Sequence, residues 1–92
     1  MRYVVHLTPA AERDLKHVPE PDRERIAKWL RRLESNPRPH GIVPIKSQPR
    51  GNYRGRVGHY RVGFEVHDSL LEVCVWEIAR RDRFYGEANR RR

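Results

Sequence analysis

The chain has 92 residues, of which 37% are hydrophobic and 35% charged, so it can form one domain with a modest core but not a second. A single cysteine excludes an internal disulfide, and no charge-free apolar run approaches the roughly 20 residues of a membrane span. With no signal-peptide core at the N-terminus, we expect a cytoplasmic protein that does not bind membranes.

The net charge of +8 is unevenly distributed along the chain. Residues 1–35 carry eight basic and six acidic side chains, whereas residues 36–64 carry six basic side chains and no carboxylate. Residues 80–92 add six arginines against two carboxylates. Basic regions of this kind are typical of proteins that bind a polyanion, most often nucleic acid, or an acidic protein partner.

The first predicted element is a strand over residues 2–7, RYVVHL, in which every second side chain is apolar. Thr8 and Pro9 predict a helix start, because a hydroxyl caps free backbone N–H groups and proline fits the first helical turn. This short helix ends at the Pro-Glu-Pro break of residues 19–21. Its apolar side chains at helical spacing are Ala11, Leu15 and Val18.

A second helix is predicted between that break and the Asn-Pro-Arg-Pro stretch of residues 36–39, whose prolines stop it. Its apolar side chains lie at i, i+3, i+4 and i+7, which is the spacing of a helix packed on a core. They are Ile26, Trp29, Leu30 and Leu33. We therefore interpret Trp29 as a core residue.

The second half of the chain predicts strands joined by tight turns. Residues 42–45 are a short edge strand before the turn QPRGN, alternation resumes at Tyr53, and residues 70–78 form a further strong strand. This order predicts an α+β domain, an antiparallel β-sheet of four or five strands with an N-terminal helical pair packed on one face. We assign residues 1–92 to this single domain, with 86–92 as a flexible tail.

The stretch YRGRVGHYRVGFEV, residues 53–66, contains a predicted two-residue hairpin at Gly58-His59 with a type II′ turn. This register pairs Arg56 with Arg61 and Arg54 with Gly63, all on one face. The opposite face, which we expect to lie on the core, holds Tyr53, Val57, Tyr60, Val62 and Phe64. Arginines facing each other repel, so we expect an anion to bind them. Guanidinium suits bidentate phosphate binding.

A turn at Asp68-Ser69 would continue this register by pairing Val66 with Leu71 and Val62 with Val75. Four more side chains would then lie on the arginine face: Glu65, Glu72, Cys74 and Trp76. The carboxylates among them allow an alternative interpretation, in which this face is a solvated surface held by salt bridges.

The segments YRxRVGxYRV, LLEVCVWEIA and ARRDRFY resemble the RelE superfamily of bacterial type II toxins. TPAAERDLKHVP and the helix ending LESNPRP agree with the same family, so the resemblance extends from Tyr3 to about Ala88. It implies a RelE-like, barnase-like microbial RNase fold and a cognate antitoxin partner. It also implies cleavage of messenger RNA, usually in the ribosomal A site, through attack by a ribose 2′-OH without a metal or other cofactor.

By position, the resemblance implies that Arg54 and Arg56 hold the phosphate and activate the 2′-OH. It assigns transition-state stabilisation to Arg61, a further basic contact to Arg81 and base stacking to Tyr85. Better-known members have lysines at the first two positions. Arginine keeps its proton up to a pKa above about 12 and is a poor general base, so we expect both residues to act electrostatically.

Two further residues are candidates for the general base: Glu65, on the same predicted face, and His59, which lies in the hairpin turn and is of a type that titrates near neutrality. We expect Arg50, Arg80 and Arg83 to add contacts to RNA. The other histidines have no ligand spacing, so we predict no metal site.

Two other functions stay open. The ParE branch of the superfamily resembles this chain in fold but inhibits DNA gyrase by binding it, without a nuclease site. The set Arg56, Arg61, Arg81 and Tyr85 favours the nuclease, because a gyrase inhibitor needs no phosphate-binding face. A plain nucleic-acid-binding module would have aromatic side chains interleaved on the basic face, and few are present.

Overall fold

The computed structural model describes residues 2–86, and the fold within that range is a helix pair on a single five-stranded sheet. The helices are α1 (Pro9–Lys16) and α2 (Asp22–Arg32). The strands are β1 (Val4–Leu7), β2 (Val43–Pro44), β3 (Asn52–Val57), β4 (Tyr60–His67) and β5 (Glu72–Arg80), in the order β1-β5-β4-β3-β2. Neither described helix is long and apolar enough to span a membrane. Apart from Gly86, the predicted tail lies outside the described residues.

The predicted α+β class is confirmed, but the prediction of a wholly antiparallel sheet is wrong. β1 pairs with β5 in parallel, with Val5 opposite Val73, while the other neighbouring strands pair antiparallel. Alternation of apolar residues is the same whichever way a strand runs. Strand direction depends on how the intervening helices cross the sheet.

The predicted start of α1 is confirmed. The Thr8 hydroxyl accepts a hydrogen bond from the Ala11 N–H at 3.1 Å, and proline occupies the first helical turn. Further along this helix, Asp14 Oδ2 accepts the N–H of Ile78 in β5 at 3.0 Å. The last β1–β5 pair is Leu7 with Val75, so the Ile78 N–H lies past the end of β1 and has no strand partner there. The Asp14 carboxylate takes the place of that missing partner.

The core lies between the helix pair and one face of the sheet. Trp29 packs edge-on against Phe64, with ring centroids 5.8 Å apart, and its six-membered ring lies against the backbone of Gly55. The interpretation of Trp29 as a core residue is confirmed, although part of its side chain stays at the surface. The fully buried apolar side chains include Ile26, Leu33, Val62, Phe64, Val73 and Val75.

The predicted β4–β5 register is wrong. Val66 pairs with Val73 rather than Leu71, because the connection is a 3-10 turn (Asp68–Leu70) followed by Leu71 at φ 53, which takes more residues than a two-residue turn. A β-bulge interrupts the same pair of strands. Phe64 pairs with Val75 and Gly63 pairs with Glu77, so Trp76 is the extra residue that has no partner on β4. An inserted residue moves every later side chain of the strand to the opposite face, so the bulge puts Glu77 opposite Gly63.

A hydrogen-bonded clamp joins this turn to the loop after α2. Arg38 donates from Nη1 and Nη2 to the two carboxylate oxygens of Asp68, at 3.0 and 2.7 Å. The Tyr3 hydroxyl donates to the same carboxylate at 2.7 Å, and Arg38 Nε donates to the Tyr53 hydroxyl at 3.1 Å. The Arg38 and Tyr3 hydrogen bonds lower the pKa of Asp68 to about 2.

We expect Asp68→Asn to lower the thermal midpoint at neutral pH, because the amide cannot accept from all three donors. The effect should be modest, since the ion pair is exposed and screened by salt. The folded pKa of about 2 lies below the usual value of about 3.9, so the carboxylate stabilises the fold above about pH 4 and loses this effect as pH falls towards 2.

Thermal unfolding of both proteins from pH 7 to pH 2 tests this prediction. The difference in midpoint should be constant at neutral pH and shrink below about pH 4. Ser69→Ala, at the neighbouring exposed position, is the control. A difference that persists unchanged to pH 2 would contradict the role of the Asp68 charge.

Candidate nucleic-acid interface

The hairpin forms as its sequence predicts. Gly58 has a φ of +59 while His59 does not adopt a positive φ, as a type II′ turn requires. The predicted pairing is confirmed at every position, including Arg56 with Arg61 and Arg54 with Gly63. These side chains share the sheet face opposite the helices, which is the face that the sequence assigns to the arginines.

Four arginines converge at the open end of this face: Arg54, Arg56, Arg61 and Arg81, here called the arginine cluster. Burial lowers the pKa of the Arg61 guanidinium, and the charges of the other three lower it further. Its Nε is buried and has no hydrogen-bond partner among the described residues. A partly desolvated cation beside three like charges is an environment that an anion would stabilise.

Arg81 reaches the cluster because the end of β5 is tied to the hairpin. Its backbone N–H donates to the His59 carbonyl at 2.9 Å, directly after the last β4–β5 pair, Tyr60 with Arg80. A short 3-10 turn, Arg81–Arg83, then redirects the chain across this end of the sheet. The turn therefore holds Arg81 beside the hairpin.

The β-bulge adds to the arginine face a carboxylate that was not predicted from the sequence as a site residue. Glu77 lies in one row with Gly63 and Arg54 across three strands, and it is completely buried. Its Oε2 accepts the backbone N–H of Tyr85 at 2.9 Å, which fixes the segment after Arg83 beside the cluster. The only signal in the sequence was a glutamate within the otherwise apolar run VCVWEIA.

Trp76 covers the backbone of Gly63, which the sequence leaves bare. A Cβ at Gly63 would lie within 2.9 Å of three atoms of the Trp76 ring, so this position requires glycine. Trp76 Nε1 donates to Asn52 Oδ1 at 2.8 Å, and its ring packs against Phe84 with centroids 6.1 Å apart. The indole therefore forms a rigid wall on the arginine face.

The structure does not bring Glu65 to the arginine cluster. Its Oε1 lies 3.2 Å from His67 Nε2, and Trp76 covers Gly63, which separates Glu65 from Arg61 along this face of β4. Glu72 likewise lies 3.6 Å from a histidine, His6. The two glutamates predicted to neutralise the arginines therefore have histidine partners at the other end of this face.

The remaining predicted residues lie around the hairpin and the end of β5. His59 is exposed and lines one cleft with Arg80, Arg81 and Asp82. Arg80 Nε lies 3.9 Å from Asp82 Oδ1, Arg83 is exposed in the same turn, and Tyr85 is half exposed. Arg50 is exposed in the turn before β3. No three metal-ligating side chains within residues 2–86 are arranged to hold a metal ion.

A helix pair on one face of a five-stranded sheet is the RelE-like fold that the sequence predicts, and the arginine cluster lies on the other face of that sheet. The family model described as the ParE toxin of the type II toxin–antitoxin system parDE matches residues 5–85. The chain belongs to this family. No curated protein is similar enough in sequence to count as a relative.

Solved RelE structures share the fold. The Mycobacterium tuberculosis RelBE2 toxin–antitoxin complex superposes with a TM-score of 0.77 at 23% identity, over 88% of this chain and 100% of that chain. The Pyrococcus horikoshii RelE–RelB complex gives 0.78 at 22%, over 91% and 100%. The isolated Escherichia coli RelE toxin gives 0.76 at 21%, over 94% of each chain.

Proposed function

We propose that this type II toxin is an endoribonuclease that cleaves messenger RNA on the ribosome. The observation that carries the proposal is the environment of Arg61, a partly desolvated guanidinium beside three further arginines, whose buried Nε has no hydrogen-bond partner within residues 2–86. Such a cluster costs stability in the free protein, and a phosphate would neutralise it. The fold shared with the RelE toxins agrees with this use of the face.

The proposed reaction is a transesterification at phosphorus, in which one phosphorus–oxygen bond forms and another breaks. The ribose 2′-oxygen gives its proton to a general base and attacks the adjacent phosphorus, the bond to the 5′-oxygen breaks, and the 5′-oxygen takes up a proton from the protonated base or from water. The products are a 2′,3′-cyclic phosphate and a 5′-hydroxyl. Arg54 and Arg56 lower the pKa of the 2′-OH and hold the phosphate. Arg61 neutralises the charge of the pentacovalent transition state, and Arg81 contacts the same phosphate from the end of β5.

Proton transfer requires a group of a different kind, since arginine stays protonated. Of the two predicted bases, His59 is better placed than Glu65, because its backbone holds Arg81 and its side chain shares a cleft with that residue. Glu77 is a positioning residue and does not contact the RNA. Its carboxylate holds the backbone of Tyr85, whose ring stacks on a nucleobase of the RNA.

Gyrase inhibition is the second candidate function, and the match to the ParE family model favours it. One experiment separates the two. Purified protein is added to a translation reaction and to the same mRNA without ribosomes, cut sites are mapped by primer extension, and gyrase supercoiling is measured in parallel. The proposal predicts cuts in the presence of ribosomes and unchanged supercoiling. Blocked supercoiling with intact mRNA would overturn it.

A cognate antitoxin is the proposed protein partner, as RelB is in the complexes from M. tuberculosis and P. horikoshii. The net charge of +8 and the arginine cluster favour a partner segment with acidic and apolar residues. It would inhibit the toxin by covering the cluster or by displacing the Tyr85 segment. A partner that binds only the surface of residues 1–18 and leaves cleavage intact would contradict this proposal.

Tyr85→Ala is expected to lower cleavage about 10- to 100-fold, because base–aromatic stacking contributes about 1–3 kcal/mol per base. Tyr85→Phe keeps the ring and the backbone N–H that Glu77 binds, so it should stay within a few-fold of wild type. Single-turnover cleavage of a short mRNA on ribosomes measures both variants. Equal losses in the two would assign the effect to the hydroxyl and contradict stacking.

A further inference from the structure

A recess at the outer edge of the sheet adjoins the arginine cluster. β2 ends its pairing at Val43 with Arg54, so β3 continues past it and Arg56 lies on an open edge. The recess has a volume of about 460 Å³ and opens to solvent. It is lined by Trp29, His40, Gly41, Ile42, Arg56 and Gly58.

The aromatic wall of this recess is rigid. Trp29 is held on one side by Phe64, in an edge-on contact with centroids 5.8 Å apart, and on another by the backbone of Gly55. A side chain at Gly55 would collide with the ring, so glycine is required for this contact. A planar side chain with little freedom loses little entropy when a second flat ring stacks on it.

The surroundings of Trp29 are cationic. A second groove that Trp29 also lines is otherwise formed by Arg25, Lys28, Arg32 and Val57. Arg25 is paired with Asp22, but no carboxylate among the described residues lines either the recess or the groove. An aromatic ring between basic side chains is the arrangement with which proteins bind single-stranded nucleic acid.

The open edge of β3 adds backbone hydrogen-bonding groups. In a two-residue hairpin the closing pair, Val57 with Tyr60, exchanges its hydrogen bonds across the two strands. Hydrogen bonding alternates along the strand, so the N–H and C=O of Arg56 point outward, on the side of the recess. One donor and one acceptor beside a flat wall suit the edge of a nucleobase.

We propose that this recess binds one unpaired nucleobase of the RNA whose backbone crosses the arginine cluster, with the base stacked on Trp29. Arg56 belongs to both sites, so a phosphate held by its guanidinium has its own nucleoside beside the recess. The inference rests on the proposed RNA-cleaving function and extends the RNA-binding surface from the cluster around the edge of β3 to α2. Stacking of this kind accounts for about 10- to 100-fold in affinity.

Binding of 2′-O-methyl RNA octamers, which lack the attacking hydroxyl, tests the inference without cleavage. The probes form a series in which each octamer has one abasic position. In the wild-type protein one abasic position should weaken binding about 10- to 100-fold by removing the stacked base. In Ile42→Glu, which puts a carboxylate into the recess, the intact octamer should bind as weakly as that abasic probe, and the abasic position should have no further effect.

Val4→Glu is the matched control, because it makes the same charge change at an exposed position of β1, which is the opposite edge strand of the sheet, away from the recess. It should keep the wild-type abasic profile. Trp29→Leu gives a second arm that keeps apolar bulk and removes the flat ring, with its thermal midpoint measured alongside. It should also lose the abasic effect, and a folded Trp29→Leu protein with the wild-type profile would overturn the proposal.

The other outcomes separate the recess from the proposed function. Binding that depends on no abasic position, or a profile unchanged in Ile42→Glu, overturns the recess while leaving RNA cleavage standing. Octamer binding that depends on the recess, in a protein that does not cleave mRNA, would support base binding in the recess and contradict the proposed nuclease function. If Ile42→Glu weakens antitoxin binding and leaves octamer affinity unchanged, the recess binds a protein side chain, and the inference is overturned.

Discussion

Arg61→Ala is expected to lower the single-turnover cleavage rate by ~10²–10³ and to leave the free protein as stable as wild type or slightly more stable. Arg61 lies directly opposite Arg56, and burial together with three neighbouring arginines lowers the pKa of its guanidinium. Removing the side chain relieves this repulsion and also removes a buried Nε that has no hydrogen-bond partner in the described part of the chain. The two effects together should stabilise the free protein by about a few tenths of a kcal/mol or more.

Bound RNA reverses the sign of this contribution. The pentacovalent phosphate concentrates negative charge at the cluster, and the guanidinium that destabilises the free protein then stabilises the transition state. Arg31→Ala, at an exposed position on α2, makes the same charge change away from the cluster and is the control. It should change neither quantity appreciably.

Thermal midpoint and cleavage rate should be measured on the same preparation of each variant. An equal or higher thermal midpoint together with a lower cleavage rate would show that Arg61 serves the reaction at the expense of the stability of the free protein. A destabilised Arg61→Ala protein with near wild-type cleavage would show that the cluster serves the fold. In that case its arginines would not form the reaction site.

A single 2′-deoxy residue on the 5′ side of the cut should abolish cleavage at that position, because the attacking oxygen is missing. The same substitution one residue downstream keeps the nucleophile and should leave the rate within a few-fold, which makes it the matched control. The assay is cleavage of a short synthetic mRNA on purified ribosomes. Cutting at the deoxy position would exclude attack by the neighbouring 2′-oxygen.

Chelation of divalent metal ions tests whether the protein cleaves RNA without a metal ion. If the arginines alone neutralise the developing charge, the cleavage rate of a ribosome-free substrate should be unchanged when EDTA replaces free Mg²⁺. Ribosomes need Mg²⁺ for their own structure, so this measurement requires a substrate that is cut without them. Loss of cleavage in EDTA with such a substrate would assign part of the chemistry to a metal ion.

Local features of the sequence determined the helices and the hairpin. Thr8 with Pro9 specifies the start of α1, and Gly58-His59 specifies a two-residue turn whose register follows from the turn type alone. Because side chains alternate strictly along a strand, that register puts Arg54, Arg56 and Arg61 on one face. The main part of the candidate site could therefore be predicted without any long-range contact.

Tertiary structure decided the rest of the site. Alternation does not encode strand direction, so β1 was not predicted to run parallel to β5. The sequence predicts a turn at Asp68-Ser69 but not the length of that turn, and no motif marks the bulge at Trp76, so the β4–β5 register was predicted wrongly. Glu77 consequently joined the arginine face, and Trp76 came to cover Gly63.

The recess at Trp29 has the same origin. The helical stripe correctly predicted that this indole packs on the core, but a stripe does not show that part of the ring stays exposed or what lies beside it. That depends on where β2 stops pairing and on the close approach of the ring to Gly55, two contacts between residues far apart in the chain. Turn chemistry and alternation thus determined the arginine face, while packing across the sheet decided which carboxylate and which aromatic rings surround it.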